Sequence, residues 1–268
     1  MSSCGIYIPT HRRAFAVIKT LRETIAASKG KAPVYLVMDY DQIEDYKEKI
    51  PSYLYPYFEI FPLTPLRRRI SFAMCQIMEH AEKKGFKYVI RVDDDKIPPM
   101  NLLELLDSFK RHPELGWVGG YFGFYGLLKI QPNSGTYYSA RMACNIFAVD
   151  VAKMKEAGGF DQNMIILEDA DAKVKLMKAG YYTAINSNVE CKSLNNRGAP
   201  GGISSFGPAP EIEMTDYFNK VHGGPGFQPA SLRKGRAFIK LAWMAKRGLF
   251  KNIDYSKMAS QGGKALDY

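Results

Sequence analysis

Short apolar segments alternate with segments of helical period through the first 95 residues, and this alternation restricts the folds open to the chain. Residues 6–8 predict a strand, and apolar residues at helical spacing predict a helix over 14–28. A strand over 33–38, a helix over 69–84 and a strand over 87–92 follow. Strands joined by helices form parallel, doubly wound sheets, so we predict an α/β fold of this kind.

The second half of the sequence has a less regular pattern. Strands are predicted near 117–118, 145–149 and 183–185, and helices over 101–110 and 169–178. A stretch rich in glycine and proline then predicts a loop over 195–210, and a last basic helix is predicted over 231–249.

Composition excludes several classes of protein. The 268 residues contain 37 Lys and Arg against 27 Asp and Glu, a net charge of +10, which favours polyanionic partners such as nucleic acid, nucleotide phosphates or an anionic membrane surface. The four cysteines lack C-x-x-C spacing, so we expect free thiols in a reducing compartment. With no apolar run long enough for a bilayer and no signal-peptide pattern, the chain is expected to be soluble and cytoplasmic.

Three consecutive acids, Asp93, Asp94 and Asp95, follow the third predicted strand. Adjacent carboxylates repel one another unless a cation neutralises them, and their oxygens suit Mg²⁺ or Mn²⁺, which also bridges nucleotide phosphates. Strand alternation would direct Asp93 and Asp95 to one side and Asp94 to the other. The alternative is a solvated acidic turn or a cluster at a helix N-terminus.

A second acidic run, 168–171, lies between the segment Gly158-Gly159-Phe160-Asp161 and a predicted helix. A carboxylate at such a loop-to-helix junction is well placed to act as a general base. The alternative is that Glu168 and Asp169 only cap the helix.

Four segments, in order, resemble the nucleotide-sugar-dependent glycosyltransferases of the GT-A fold, close to the family-2 type. They are the opening strand and turn 6–13, Asp39 at the end of the second strand, the D-x-D pattern in 93–95, and the G-G-F-D…E-D-x-D…K-A-G-Y pattern in 158–181. The resemblance covers residues 5 to 185. Through its layout, small size and basic tail, the chain is also similar to the TET-associated glycosyltransferases of phages, which attach sugars to hydroxymethylated pyrimidines in DNA.

The resemblance implies a UDP-sugar donor site and a Mn²⁺ or Mg²⁺ site. The donor would be contacted by Pro9, Thr10, Arg12, Asp39, Arg69, Asp93 and Asp94. The metal would be bound by Asp93, Asp95 and His222, although a lone histidine is also commonly structural. Ile70 follows Arg69 where the family has asparagine, so the choice among the arginines of 67–69 stays open.

The resemblance also implies an acceptor side. Asp169 would be the general base of an inverting transfer, and the acceptor would contact Glu168, Asn196, Arg197, Arg233, Arg236 and Lys240. The last three share one stripe of the predicted basic helix, where they would neutralise DNA phosphates. The alternative is a solvated or membrane-surface helix. The target base would be flipped out of the stack, with loop 195–210 closing over it.

We therefore predict a GT-A domain over 1–225, divided into a nucleotide-binding half (about 1–100) and an acceptor half (about 101–225), followed by a basic helical extension over 226–268. No protein partner is implied. Three functions compete: a DNA glycosyltransferase, a glycosyltransferase for surface polysaccharide, lipid or protein, and a non-catalytic basic nucleic-acid-binding protein whose acids are structural.

Overall fold

The computed structural model describes residues 3–11, 13–64, 70–122, 130–139, 145–164, 168–194 and 217–222. Strands and helices alternate along them. The strands are β1 (Cys4–Pro9), β2 (Val34–Asp39), β3 (Glu59–Leu63), β4 (Tyr88–Val92), β5 (Lys96–Ile97), β6 (Leu115–Tyr121), β7 (Thr136–Tyr138), β8 (Ile146–Asp150), β9 (Tyr182–Glu190) and β10 (Lys192–Ser193). The helices are α1 (Ala14–Ser28), α2 (Ile43–Lys49), α3 (Ile70–Lys83), α4 (Leu105–Arg111), α5 (Val151–Glu156) and α6 (Glu168–Lys178).

The first half of the chain forms a parallel sheet. Strands β3, β2, β1 and β4 lie side by side, and all three of their pairings are parallel. The residues of β1, β2 and β4 are almost all buried, because helices cover both faces of a parallel sheet. The predicted strands and helices of this half are confirmed, and α1 has the bounds that its helical spacing predicts.

The second half extends the same sheet with mixed directions. Strand β8 is antiparallel to both β4 and β6, β6 is parallel to β9, and β7 is antiparallel to β9. The eight-stranded order is β3-β2-β1-β4-β8-β6-β9-β7. The α/β class is therefore confirmed, whereas the parallel arrangement holds for the first four strands and gives way to a mixed one beyond β4.

A small second sheet fixes the chain just after the three consecutive acids. Strand β5 pairs antiparallel with β10, and the backbone N–H of Leu194 donates to the carbonyl of Asp95 at 2.9 Å. This pairing holds the acidic segment against residues 192–194, about 100 positions later in the sequence.

Within the described ranges, no helix combines the length and the apolar character that crossing a membrane requires. Among the described residues, Cys4, Cys75 and Cys191 form no disulfide, and Cys144 lies outside them. The predicted loop over 195–210 and the predicted extension over 226–268 also lie outside them, so the domain division stays a prediction.

Candidate active site at the edge of the sheet

Three neighbouring parallel strands end at one edge of the sheet, and polar residues follow each of them. Thr10 follows β1, Asp39 ends β2, and the acids 93–95 follow β4. The carboxyl ends of parallel strands meet at the same edge, which is where ligands bind in open α/β sheets. The Oγ1 of Thr10 donates to the Oδ2 of Asp94 at 2.9 Å, so residues 84 positions apart in sequence are in contact.

The three acids lie in a turn and not in the strand. Strand β4 ends at Val92, and the backbone N–H of Lys96 donates to the carbonyl of Asp93 at 3.0 Å. Strand alternation therefore does not set the directions of these side chains, and the expectation based on it is wrong. The extended backbone ends at Val92, directly before the three acids. The nearest cation of each carboxylate is a different one, although Arg13 also lies 3.7 Å from Asp95. The pairs are Asp93–Arg91 at 2.7 Å, Asp94–Arg13 at 2.9 Å and Asp95–Lys96 at 2.6 Å.

Asp94 is buried and fully engaged by the protein. It contacts Thr10 and Arg13, and its backbone carbonyl accepts from the Oγ1 of Thr20 at 2.9 Å. Burial raises the pKa of Asp94, although Arg13 and Thr10 both favour its ionised form. The hydroxyl of Thr10 also lies 2.8 Å from the hydroxyl of Tyr46. Thr10 and Asp94, both predicted to contact the donor, thus contact each other and link β1 to the acidic turn.

Two buried polar atoms at this edge have no hydrogen-bond partner among the described residues. They are the Oδ1 of Asp39 and the Nε of Arg13. The other oxygen of Asp39 is held, since its Oδ2 lies 3.2 Å from the Nδ1 of His11 and 3.4 Å from the Nε2 of Gln42. A buried unpaired acceptor is costly unless a ligand satisfies it, so these atoms mark a place for a polar molecule. Sequence reasoning missed Arg13 and Gln42.

Arg91, the fourth of the five residues of β4, contacts an acid of each acidic run. Its Nε and Nη2 lie 2.8 and 2.7 Å from the Oδ1 of Asp93, and its Nη1 donates to the Oε1 of Glu168 at 3.1 Å. The side chain is 6% exposed. Burial disfavours its charged form, but Asp93 and Glu168 outweigh burial and hold the pKa of Arg91 above its ordinary value. Sequence reasoning missed this residue, although a single cation inside a buried strand is a signal that a buried anion lies nearby.

The second acidic run forms the first turn of α6, whose N-terminus favours negative charge. Burial and the adjacent Asp169 raise the pKa of Glu168 to about 7, and burial raises the pKa of Asp93 to about 6. Asp169 is buried, and its Oδ1 accepts from the backbone N–H of Ala170 at 2.9 Å. Through Arg91, the start of α6 is therefore connected to the acidic turn.

Asp171 belongs to a separate polar cluster on the inner side of α6. It is fully buried, with the Nε2 of His222 at 2.9 Å and the Nζ of Lys175 at 2.8 Å. Within the described ranges, no three His, Cys, Asp or Glu side chains form a group able to hold a metal ion. His222 thus has a structural partner in Asp171, and its role as a metal ligand stays a prediction.

Several predicted contacts lie outside the described residues, and their roles likewise stay predictions. They are Arg12, Arg69, Asn196, Arg197, Arg233, Arg236 and Lys240. Pro9, the last residue of β1, is described and lies at the sheet edge beside Thr10.

Comparison with known proteins agrees with this arrangement. Residues 4–100 match the family described as TET-Associated Glycosyltransferase. Mannosyltransferase PcManGT from Pyrobaculum calidifontis, solved in complex with GDP-Man and Mn²⁺, superimposes with a TM-score of 0.60 at 16% identity, over 97% of this chain and 83% of that one. The chain shares the GT-A fold of this mannosyltransferase. No curated protein matches its sequence.

Two other solved glycosyltransferases share the fold at similarly low identity. GalNAc-T7 with UDP, GalNAc and Mn²⁺ has a TM-score of 0.56 at 14% identity, over 92% of this chain and 58% of that one. S. aureus TarS 1–349 in complex with UDP has a TM-score of 0.52 at 15% identity, over 92% and 72%. At such identities the likeness concerns the fold alone, and the family match covers residues 4–100.

Proposed function

We propose that this protein is a glycosyltransferase, which transfers a sugar, with inversion, from a UDP-sugar held by Mn²⁺ or Mg²⁺ to a 5-hydroxymethylpyrimidine in phage DNA. One observation carries the proposal, which is that three features meet at the sheet edge. Buried polar atoms without a partner among the described residues lie there beside the acidic turn, and Arg91 connects that turn to the carboxylate of Glu168 at the start of α6. A donor, a cation and a base are needed for this reaction, and the residues at this edge suit each of them.

The donor would occupy the edge formed by β1, β2 and β4. The free Oδ1 of Asp39 is an acceptor for an N–H of the nucleobase, while His11 and Gln42 hold the other oxygen. The free Nε of Arg13 is a donor at the same edge. Ligands of three neighbours support the nucleotide class, since PcManGT was solved with GDP-Man and both GalNAc-T7 and TarS with UDP.

A divalent cation would bind at the acidic turn through Asp95 and Asp93. Mg²⁺ and similar ions commonly use one or two protein carboxylates and take their remaining ligands from water and substrate phosphates. The turn fits this requirement: Arg91 contacts Asp93 through Oδ1 alone, and the Oδ2 of Asp95 has only a distant cation, Arg13 at 3.7 Å. When bound, the ion would offset the charge of the departing diphosphate.

The transfer itself would need one base. The acceptor oxygen forms a bond to the anomeric carbon from the face opposite the diphosphate, whose oxygen departs with the electron pair of the broken bond. The hydroxyl proton passes to the carboxylate of Asp169, which lies at the start of a helix and has only a local contact at Oδ1. A single displacement of this kind inverts the anomeric centre.

The acceptor assignment draws on the family match and on charge. Members of the matched family are described as TET-associated, and the net charge of +10 favours a polyanion such as DNA. Arg233, Arg236 and Lys240 would contact phosphates, so their replacement by Gln would weaken DNA binding and flatten its salt dependence while leaving UDP affinity intact.

The deciding experiment incubates the protein and Mn²⁺ with a panel of UDP-sugars and with matched duplexes that contain or lack 5-hydroxymethylpyrimidine. Nucleoside mass spectrometry is expected to show one added hexose on the hydroxymethylated base alone. Asp169→Asn is the matched control and should give little product. Donor hydrolysis without any modified nucleoside would contradict the DNA acceptor and favour a polysaccharide, lipid or protein acceptor.

A further inference from the structure

Arg91 contacts both acidic runs. Two of its nitrogens contact Asp93, on the donor side, and a third contacts Glu168, beside the base. Glu168 is the first residue of α6. Fixing its side chain therefore fixes the first helical turn, and with it the direction of Asp169.

The guanidinium is held in place from a second direction. Residue 91 is paired across the sheet with Phe147 of β8, and its guanidinium carbon lies 5.5 Å from the centre of that ring. The Phe147 ring stacks on Trp117 of β6, with ring centres 3.8 Å apart. The aromatic surface and the buried strand pairing leave the guanidinium few alternative positions.

We propose that Arg91 is a positioning residue that sets the distance and direction of the base Asp169 relative to the donor and cation at Asp93. This inference rests on the proposed function of the site. The planar guanidinium suits the role because it presents separate N–H groups to two carboxylates at once, whereas a lysine ammonium is a compact point charge on a flexible stem. Misplacement of reacting groups by about 1 Å can lower turnover by about a hundredfold.

The test compares Arg91→Lys, Glu168→Ala, their double variant and Glu168→Gln, with the exposed Arg22→Lys as a control. Turnover is measured as sugar release from UDP-sugar, with water or with acceptor DNA, and donor affinity is measured separately by titration. We expect Glu168→Ala, which leaves the contact between Arg91 and Asp93 in place, to lower turnover by about tenfold or more with donor affinity changed by less than about threefold. Arg91→Lys should lower turnover at least as much and, because it also releases Asp93, should weaken donor binding as well. Glu168→Gln, which keeps an oxygen for the Nη1 of Arg91, should restore most of the turnover.

Two further results distinguish positioning from general support of the fold. The double variant should be no slower than the slower single variant, because both changes break one connection. Amide hydrogen exchange over 168–172 should accelerate in Arg91→Lys without any substrate present, and this readout stands even when the proposed donor or acceptor is wrong. Equal losses of donor affinity and turnover in Glu168→Ala, multiplicative effects in the double variant, or unchanged exchange over 168–172 would each overturn the inference.

Discussion

The two acidic runs of this protein look alike in sequence, yet the structure gives the members of each run different surroundings. In the turn after β4, Asp94 is buried against Arg13 and Thr10, whereas Asp95 contacts Lys96 at the partly exposed rim. The sequence shows three consecutive acids but does not show how their surroundings differ. The conformation of the turn decides which carboxylate is buried and which is partly exposed.

The run at the start of α6 shows the same division. Asp171 is buried against His222 and Lys175, while the Oδ1 of Asp169 accepts from the backbone N–H of Ala170. The remaining acids, Asp93 in the first run and Glu168 in the second, both contact Arg91. Each run therefore has one acid held inside the fold and one acid that contacts Arg91, and we propose that Asp95 and Asp169 serve the reaction.

The largest effect is expected from removing the buried acid of the first run. Asp94→Ala leaves Arg13 without its 2.9 Å partner and should lower the free energy of unfolding by about 3–5 kcal/mol. Urea denaturation measures this loss. The milder Thr10→Val removes the hydrogen bonds of the hydroxyl to Asp94 and Tyr46 and should cost about 1–3 kcal/mol. An unchanged unfolding midpoint in Asp94→Ala would mean that this acid does not have the structural role described.

Asp169→Asn should affect catalysis and not the fold. Loss of the general base is expected to lower turnover by roughly a hundredfold or more, with UDP affinity and unfolding midpoint near those of the unchanged protein. Asp171→Asn is the matched control: it should lower stability, through His222 and Lys175, and leave turnover per folded molecule nearly intact. Near-normal turnover in Asp169→Asn would remove this residue from the mechanism.

Asp95→Ala should weaken donor binding, since it removes a carboxylate proposed to hold the cation. UDP affinity in the presence of Mn²⁺ is expected to fall at least about tenfold, with little change in stability. Glu44→Ala, an exposed acid on α2, controls for the general loss of negative charge. If both variants bind UDP equally well, Asp95 is not part of the donor site.

The last expected effect concerns the dependence of stability on pH. The pKa of Glu168 is about 7 in the folded protein and near 4.5 in an unfolded chain, so between these values the folded state binds the extra proton. Stability from this group is therefore present at low pH and is lost as pH rises through about 7. Glu168→Gln should reduce the difference in unfolding free energy between pH 5 and pH 8 by on the order of 1–3 kcal/mol. Asp93 is present in both the unchanged protein and Glu168→Gln and serves as the internal control. If stability depends on pH identically in these two proteins, the raised pKa of the buried Glu168 is contradicted.

The first half of the fold was predictable because its elements carry strong local signals. Apolar residues at helical spacing set α1, and Lys29 and Gly30, both with positive φ, end it. Strand β3 escaped prediction since it is an edge strand with Pro62 and little buried surface. Helix α2 is only seven residues long and buries only Tyr46, too little for a periodic pattern.

The candidate site was predictable in its residue types but not in its contacts. The family pattern identified Asp39, the acids 93–95 and Asp169, because these residues follow strands or begin a helix. Which acid is buried depends on pairings across long sequence separations, such as Thr10 with Asp94 and Arg91 with Glu168. No local pattern encodes those pairings, and Arg91 was missed for this reason.

Calorimetric titration of UDP into the full chain, in Mn²⁺ and then in excess chelator, tests the division of the first acidic run most directly. If Asp95 and Asp93 hold a cation that bridges to the diphosphate, UDP should bind in Mn²⁺ and lose at least about tenfold in affinity in chelator. Equal UDP affinity in the two conditions would contradict a metal-held donor and return the acidic turn to a purely structural role.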